Sequence, residues 1–343
     1  MITTFWLVLG YTCNNRCPQC YAAPRGFPNK WMNPVFAKEV MTTLRGRGVR
    51  TCLLIGGEPT FYPNLTEIIS FGSRIGLKMI IVSNGRRFKN KGFAKQLFTA
   101  GLDRAVISLE GATSSVHNAL TGRNSFNETT NGIRVCSEIG RVNTLTTICR
   151  GNSHQIVETI ELAYRLGGGK AVLNCAIPTI SKNFVTAGQS LNPLEFADVV
   201  DQAFWELKEK NIPFQLNATF PLCLLRRETL LEALRLDWLS VGCHMYRGKG
   251  VVFDPEENIL PCTHFSEMPL IENATGDNGN LKLEENFWKI WEDPDGVAGE
   301  FRSALWRYPA KRCVDCEYWG GCIGGCPLLW TYFDPSEFID GRR

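Results

Sequence analysis

Short β-like runs alternate with helical segments through the first 175 residues of this 343-residue chain. We predict six strands, at residues 5–9, 51–55, 78–83, 104–109, 142–148 and 171–175. Five helices are predicted between them, at residues 34–47, 65–75, 92–100, 128–139 and 153–166. Strands that alternate with helices form right-handed crossovers and a parallel sheet. The pattern therefore predicts an α/β fold, a partial (β/α)6 barrel of the TIM type, although an open doubly wound sheet shares this periodicity.

The pattern of the sequence changes after residue 212. Asn192 and Pro193 have the features of a helix start, and we expect that helix to reach Lys210. Beyond it, short β-like pieces, several tryptophans and glycine-rich cysteine loops replace the alternation. We predict a core domain at residues 1–212 and a smaller, cysteine-rich α+β domain at residues 213–343. A core that small commonly needs metal to be stable.

Composition and charge exclude several classes of protein. The net charge is only +3, which provides no basic footprint for nucleic acid. No apolar run approaches the ~20 residues that span a bilayer. The amino terminus lacks the basic and apolar regions of a secretory signal. We therefore predict a cytoplasmic protein that binds neither nucleic acid nor membranes.

Fourteen cysteines are many for a cytoplasmic chain, in which disulfides are rare. Grouped cysteines in such a chain indicate metal binding or catalysis. Four isolated ones lie in apolar or helical segments and are expected to be small buried side chains: Cys52, Cys136, Cys149 and Cys175. The other ten lie within the first twenty residues or after residue 222.

Three cysteines follow the first predicted strand with the spacing Cys13-x3-Cys17-x2-Cys20. Thiolate is the usual ligand of an iron–sulfur cluster, and a four-iron cluster has four irons to hold. Three ligands leave one iron open, and an open position distinguishes a catalytic metal site from a structural one. The alternative is a structural zinc or iron–sulfur site that takes its fourth ligand from elsewhere.

Further motifs follow the second, third and fourth strands: Gly56-Gly57-Glu58-Pro59, Ser83-Asn84-Gly85 and Ser108-Leu109-Glu110-Gly111. Glycines allow close approach of the backbone to a ligand, and a carboxylate accepts hydrogen bonds from an ammonium group. With the cysteine triplet, these runs resemble the radical S-adenosylmethionine (SAM) enzymes. In that family a reduced cluster gives one electron to SAM, and the resulting 5′-deoxyadenosyl radical abstracts a hydrogen atom from the substrate.

The resemblance implies a 4Fe–4S cluster on the triplet, with SAM at the open iron. It implies that the amino group of SAM is held by Gly56, Gly57, Glu58 and Pro59. It implies further cofactor contacts from Asn84, Ser108 and Glu110, the last two with the ribose hydroxyls or the carboxylate of SAM. The family often has an aromatic residue or histidine against the adenine just before the third cysteine. Here Gln19 occupies that position and Tyr21 follows, so Tyr21 is the expected adenine contact.

A second cysteine pattern, Cys313-x2-Cys316-x5-Cys322-x3-Cys326, lies near the carboxyl terminus. Upstream, Cys243 and Cys262 bracket a predicted hairpin. The arrangement resembles the SPASM domain, which implies one or two auxiliary 4Fe–4S clusters. A zinc ribbon is the alternative for the C-x2-C pairs. In the hairpin, Glu257 replaces the family's glycine, and we expect Asn258 to supply the left-handed turn geometry.

The SPASM resemblance also implies how the ligands are shared. The first auxiliary cluster takes Cys243, Cys262 and Cys326, with Cys223 as its fourth ligand. The second takes Cys313, Cys316 and Cys322. The family has one more cysteine beyond this motif, and this chain has none after Cys326. Asp334 or Asp340 substitutes for it, or that cluster keeps an open iron, or only one auxiliary cluster forms. Cys223 has a second interpretation, as a thiol that donates a hydrogen atom to a substrate radical; Cys175 is a weaker candidate for that role.

The resemblance implies a peptide-modifying maturase, which forms a cross-link, an oxidation or an epimer in a ribosomally synthesised peptide. The expected partners are a precursor peptide, a separate leader-peptide-binding protein and a reductant such as flavodoxin or ferredoxin. The first predicted strand begins at residue 5, which gives the expectation that no leader-recognition domain is fused here. The enzymatic alternative is a dehydrogenase or epimerase of a small molecule such as an amino sugar. The non-enzymatic one is an iron–sulfur electron carrier or a zinc-binding interaction module.

Overall fold

The computed structural model describes residues 1–181, 185–265, 267–274 and 283–341. Within them, ten strands form one sheet and two short strands form a separate hairpin. In chain order the strands are β1 (Thr4–Val8), β2 (Thr51–Ile55), β3 (Lys78–Ser83), β4 (Leu102–Ser108), β5 (Val142–Ile148), β6 (Ala171–Cys175), β7 (Thr179–Ile180), β8 (Val185–Thr186), β9 (Phe214–Ala218), β10 (Leu239–Val241), β11 (Gly250–Phe253) and β12 (Ile259–Leu260).

The described helices alternate with these strands and then dominate the carboxyl-terminal part. They are α1 (Pro34–Gly46), α2 (Leu65–Arg74), α3 (Lys91–Thr99), α4 (Ser114–Thr121), α5 (Phe126–Ile139), α6 (Ile156–Arg165), α7 (Pro193–Glu209), α8 (Arg227–Arg235), α9 (Leu283–Glu292) and α10 (Val297–Ala304). The predicted start of α7 is confirmed: the Asn192 side chain accepts from the backbone N–H groups of Leu194 and Glu195, and the Glu195 carboxylate accepts from the Asn192 N–H. No helix in the described ranges is both long and apolar enough to cross a membrane.

The strand order decides between the two predicted windings. The large sheet runs β10-β9-β6-β5-β4-β3-β2-β1-β11-β12, and its neighbours are parallel except for the β11–β12 pair. A doubly wound sheet reverses its strand order at a switch point. Here β1 to β6 follow one another without reversal, as in a barrel wound in one direction. The predicted partial barrel is confirmed, and the sheet ends at β10 and β12 instead of closing.

Alternate residues on each strand separate the helix side of the sheet from its interior. Phe5 and Leu7 of β1 are buried in one core with Phe36 and Val40 of α1. Each such side chain contributes about 1.5–3 kcal/mol through burial. Val8, which follows Leu7 and points to the other face of the sheet, belongs to a smaller cluster. Cys20 and Tyr21 pack against that smaller cluster, so the β1 loop folds back over the interior of the barrel.

The sheet continues past residue 212. After α7, β9 pairs in parallel with β6, through Ala171 and Phe214 among other residues. β11 then pairs in parallel with β1 at the opposite edge, where Thr4 lies beside Gly250. Division of the chain at residue 212 stays a prediction, and both sides of that boundary contribute strands to one sheet.

Candidate active site

The cysteine loop follows β1 and is shaped by its own backbone. The Asn15 N–H donates to the Cys13 sulfur at 3.3 Å, and the Ala22 N–H donates to the Cys20 sulfur at 3.4 Å. Burial raises the pKa of Cys13 to about 11 and also raises that of Cys17. A metal needs the thiolate form, so a cation bound here offsets this cost while the N–H groups stabilise the sulfur charge.

The two glycines after β2 pack against the cysteine loop. A Cβ on Gly56 would lie 2.3 Å from the Gly10 carbonyl oxygen, and a Cβ on Gly57 would lie 2.2 Å from that of Tyr11. The Gly57 N–H donates to Gly10 at 2.8 Å, and the Tyr21 hydroxyl donates to the Gly56 carbonyl at 2.8 Å. These glycines therefore permit the loop after β2 to pack closely against the loop after β1. The Tyr21 hydrogen bond joins the same two loops.

Glu58 is almost completely buried and bonds to neighbouring loops. Its Oε1 accepts from the Thr60 hydroxyl at 2.7 Å and the Ser83 hydroxyl at 2.8 Å, and its Oε2 accepts from the Asn84 N–H at 2.8 Å. Burial raises the pKa of Glu58, and these hydrogen bonds oppose that effect. The carboxylate thus fastens the end of β3 to the loop that follows β2.

Asn84 carries the connection on to the cysteine loop. Its side-chain amide donates to the Asn14 side chain at 2.6 Å. Arg86 follows and donates to the Asn14 carbonyl at 2.8 Å, while Glu128 of α5 holds the same guanidinium at 2.5 Å. Sequence reasoning did not single out Arg86 or Glu128, and a basic residue directly after the Ser83-Asn84-Gly85 turn is the signal that was available.

Just after the end of β4, Glu110 carries a buried carboxyl group and also bonds to a histidine through its backbone. Glu110 is buried, and desolvation raises its pKa to about 7 although the Thr147 N–H donates to it at 3.1 Å. The backbone N–H of Glu110 donates to His117 Nδ1 at 3.2 Å. Burial lowers the pKa of His117 to about 4, so its ring is neutral with the proton on Nε2. Asn152 clamps this strand end by donating to the Glu110 carbonyl at 3.0 Å.

Helix α4, which supplies His117, was not predicted. It begins with Thr113 as a side-chain cap, and its carboxyl end meets the cysteine loop. There the Arg16 N–H donates to the Thr121 carbonyl at 2.8 Å, and a Cβ on Gly122 would lie 2.5 Å from the Arg16 carbonyl oxygen. The Thr113 cap and the left-handed Gly122 are the sequence signals for this helix.

The residues present fit the cluster and SAM that the resemblance implies. The donor set is three soft thiolates, the chemistry that selects iron–sulfur clusters. Beside Cys20, the side-chain oxygen of Gln19 is buried without a hydrogen-bond partner among the described residues. A buried orphan acceptor is costly unless a bound group supplies a donor. The part-exposed Ser108 at the end of β4 and Asn84 at the end of β3 lie on the same edge of the sheet as the cysteine loop.

Four further cysteines line one cavity in the carboxyl-terminal part. They are Cys223, Cys313, Cys316 and Cys322, and Pro221, Tyr318, Trp319, Gly324 and Ile339 complete the lining. Burial and the nearby charges of Cys322, Cys313 and Cys316 raise the pKa of Cys223 to about 11. The expectation that Cys223 joins Cys243, Cys262 and Cys326 is therefore corrected: Cys223 lies with the other set.

Glycine turns hold the segment before Cys223 against the last cysteine loop. Gly325 has φ 88°, and a Cβ there would lie 2.8 Å from the Pro221 ring. The Cys326 N–H donates to the Thr219 carbonyl at 2.7 Å. These contacts join segments about a hundred residues apart, which is why sequence spacing alone did not place Cys223 with Cys313, Cys316 and Cys322.

The two aspartates that were expected to substitute for a missing ligand have other partners. Asp340 accepts from the backbone N–H groups of Lys311 and Arg312, at 3.2 Å and 2.9 Å. Asp334 accepts from the N–H and hydroxyl of Ser336. Both carboxylates thus cap turns, and neither belongs to the cavity lining.

Cys243, Cys262 and Cys326 form the other carboxyl-terminal group. Burial raises the pKa of Cys262 and of Cys326; a nearby thiolate at Cys243 would raise both further, and one at Cys262 would raise that of Cys326. His264 places Nδ1 3.8 Å from the Cys262 sulfur, and its ring lies 6.0 Å from that of Tyr21. The group is thereby connected to the loop that carries the amino-terminal triplet.

The hairpin before Cys262 turns differently from the prediction. Glu257, not Asn258, adopts the left-handed conformation, with φ 64°. Asn258 instead donates its backbone N–H to Asp254 at 2.9 Å. Asp254 is fully buried and also accepts from the Glu256 N–H, so this carboxylate organises the turn.

Among the residues that the structure describes, no three His, Cys, Asp or Glu side chains are close enough together to hold a single metal ion. The three thiol groups are thus the amino-terminal triplet, the cavity set of Cys223, Cys313, Cys316 and Cys322, and the set of Cys243, Cys262 and Cys326. All fourteen cysteines lie in the described ranges, and none of them forms a disulfide.

A one-way parallel α/β sheet, with three thiols on the loop after its first strand, places a candidate metal site at the edge of the sheet where α/β barrels have their active sites. Residues 7–163, a little under half of the chain, match the family model described as the Radical SAM superfamily. The predicted resemblance is confirmed, and the cofactors characteristic of this superfamily are a 4Fe–4S cluster and SAM.

Relatives match over nearly the full chain. An AdoMet-dependent heme synthase of Methanosarcina barkeri is 26% identical over 332 residues, which is 91% of this chain and 87% of the relative. The structure of Streptococcus suis SuiB bound to precursor peptide SuiA superposes with a TM-score of 0.72 at 16% identity, covering 98% of this chain and 74% of SuiB. The structure of anSMEcpe with bound AdoMet and a peptide gives 0.69 at 13% identity, covering 100% and 98%. This chain therefore shares the fold of SuiB and anSMEcpe.

Proposed function

We propose that this protein is a radical SAM maturase that oxidises, cross-links or epimerises a ribosomally synthesised peptide. When bound, the cluster and SAM supply reductive cleavage of SAM and the hydrogen abstraction that follows. Cys13, Cys17 and Cys20 would hold the cluster. The protein's remaining work is to position the substrate and exclude water.

The chain's own residues account for that positioning. Glu58, Asn84 and Arg86 bond the loops after β2 and β3 to the cysteine loop, so these loops move as one unit. Glu110 and Asn152 hold the ends of β4 and β5 together. Fixed strand ends keep a substrate hydrogen within reach of the reacting carbon, which is the main contribution a protein makes to such a step.

The observation that carries the proposal is the connection between the triplet and a second thiol group. Tyr21 beside Cys20 faces His264, and His264 contacts Cys262. Ile180, beyond the end of β6, donates its N–H to the His264 carbonyl at 2.9 Å. A substrate over the carboxyl ends of the strands would therefore lie between two thiol groups, the triplet, which would hold the cluster that binds SAM, and the group of Cys262, which would hold an auxiliary cluster.

Two features favour a peptide over a small molecule. The sheet stays open between β10 and β12, and an open barrel leaves a side through which an extended chain can enter. The relatives SuiB and anSMEcpe were solved with peptides, on folds that match this chain from end to end. A precursor peptide is the proposed partner, together with a leader-binding protein and a flavodoxin- or ferredoxin-type reductant, in the cytoplasm.

The test uses the anaerobically reconstituted full chain with SAM, dithionite and each short peptide encoded beside its gene. We expect 5′-deoxyadenosine to form and one peptide to change mass, or to gain deuterium in D2O if a stereocentre is inverted. The Cys13/Cys17/Cys20→Ala variant is the control. SAM cleavage without any change in a peptide would overturn the peptide assignment, and an absence of SAM cleavage would overturn the reaction class.

The second candidate is modification of a small molecule. The heme synthase relative favours it, since that similarity extends over 91% of this chain. The same assay separates the two candidates: a small-molecule enzyme forms 5′-deoxyadenosine at a rate that no peptide raises.

A further inference from the structure

The two carboxyl-terminal thiol groups differ in the number of cysteines that the fold brings to each. Four cysteines line the cavity that contains Cys223. The packing supports the same grouping, because Cys223 and Trp319 pack against the small cluster of Ala310, Cys313 and Ile339. A set of four thiolates around one cavity matches the full ligand requirement of a four-iron cluster.

Among the residues that the structure describes, three of the four remaining cysteines lie away from the group of Cys243, Cys262 and Cys326. Cys52 and Cys136 lie in the main core, and Cys149 lies with Leu120 and Ala176. Cys175 is a neighbour of this group, because Cys326 packs against the core that contains Cys175, but the Cys175 thiol donates to the Ala176 carbonyl at 3.9 Å. His264 contacts the Cys262 sulfur itself, as a hydrogen-bonding neighbour of that ligand.

We propose that Cys223 completes a closed four-thiolate cluster with Cys313, Cys316 and Cys322, and that Cys243, Cys262 and Cys326 hold a cluster with one iron open. A closed site exchanges electrons without binding substrate, whereas an open one takes an exogenous ligand. The open site is the one connected through His264 to Tyr21. The ligand class it suits is a carboxylate, amine or thiolate of the substrate. The inference rests on the proposed function only in taking these thiols to bind iron.

The test begins from the Cys13/Cys17/Cys20→Ala variant, so that neither SAM cleavage nor the amino-terminal cluster contributes. We expect about eight irons and eight sulfides per chain, in two clusters. We expect ¹³C-cyanide to bind one of them, detected as a hyperfine coupling by electron–nuclear double resonance. Zinc in place of iron would overturn this inference and leave the SAM assay of the wild type to judge the function separately.

Single substitutions in that background then assign the clusters. Cys223→Ala and Cys322→Ala should give the same result, loss or conversion to a three-iron form of the cluster that does not bind cyanide. Cys326→Ala should remove the cyanide-binding cluster instead. Cys175→Ala is the matched control and should keep both. Far-UV circular dichroism of each variant checks that it folds. The proposal is overturned if Cys223→Ala groups with Cys326→Ala, if Cys175→Ala loses a cluster, or if neither cluster binds cyanide.

Discussion

The amino-terminal thiol loop and the carboxyl-terminal thiol groups are built in opposite ways. The triplet comes from eight consecutive residues, and the carboxylate of Glu58 and the side chain of Asn84 fix its position through neighbouring strand ends. The cavity set joins Cys223 to residues about ninety positions later, and glycine turns and aromatic packing hold it. A local site is held by hydrogen bonds within the sheet, whereas a distant one depends on how segments pack.

The largest effect is expected when the three cysteines of the amino-terminal loop are removed. Cys13/Cys17/Cys20→Ala should lower SAM cleavage below about a thousandth of the wild-type rate, because the cofactor that carries the chemistry has no ligands. The carboxyl-terminal groups should keep their iron, since none of their contacts passes through the triplet's sulfurs. Chromatography of 5′-deoxyadenosine and iron analysis measure the two effects. Loss of all iron would show that the regions assemble together and would break the comparison.

The distant site should be sensitive to a single methyl group. Gly325→Ala forces a Cβ to 2.8 Å from the Pro221 ring at a left-handed backbone position. We expect about 2–4 kcal/mol of destabilisation from strain and overpacking, with iron lost from the cavity cluster first. The measurements are urea unfolding and iron per chain.

Gly320→Ala is the matched control for this effect. Gly320 also has a left-handed φ, 93°, but a Cβ there would meet no atom within 4 Å. Gly320→Ala should therefore lower the free energy of unfolding only by the backbone strain, about 1–2 kcal/mol. The variant should keep the iron of the cavity cluster. Equal effects of the two substitutions would mean that the contact with Pro221 does not hold the site.

The local site should also show a pH signature from Glu110. Its pKa rises from 4.5 to about 7 on folding, so the folded chain keeps a proton that the unfolded chain loses between these values. The wild type therefore loses stability as the pH rises from 4.5 to 7, by about 3 kcal/mol at 1.36 kcal/mol per pKa unit. Glu110→Gln keeps an acceptor for the Thr147 N–H and does not titrate.

The measurement compares the unfolding free energies of wild type and Glu110→Gln at fixed ionic strength from pH 4.5 to 8. The advantage of the variant should grow up to about pH 7 and then stay constant. An advantage that shrinks with rising pH would show that Glu110 is held as a carboxylate by a positive partner.

Sequence reasoning worked best where structure is local. Strands β2, β3, β5 and β6 lie at the predicted residues, because β-branched runs and adjacent helices specify them. It missed α4, whose eight residues are too few for a periodic pattern. It also did not show that β9 and β11 belong to the main sheet, since both strands lie beyond the regular alternation of strands and helices that predicted it.

The same limit applied within the candidate site. The ends of β2, β3 and β4 could be assigned from motifs, yet the partners of Glu58 could not. The motif indicated a ligand for an ammonium group, and the structure shows a carboxylate already bonded to Thr60, Ser83 and Asn84. A motif predicts where a residue lies in the fold. Whether its side chain has hydrogen bonds left for a ligand depends on the residues that neighbouring strands bring to it.

The smallest expected effects come from two neighbouring residues of the carboxyl-terminal part, Glu257 and Asn258. Glu257 has φ 64° in the hairpin before Cys262, a conformation that glycine adopts without strain. Glu257→Gly should therefore raise the free energy of unfolding by about 1 kcal/mol. Asn258→Gly should lower it by a similar amount, because the side-chain bond from Asn258 to Asp254, 3.2 Å long, is lost. Urea unfolding of both variants separates the two positions; the reverse order would restore Asn258 as the left-handed residue and place the strain of this turn one residue later.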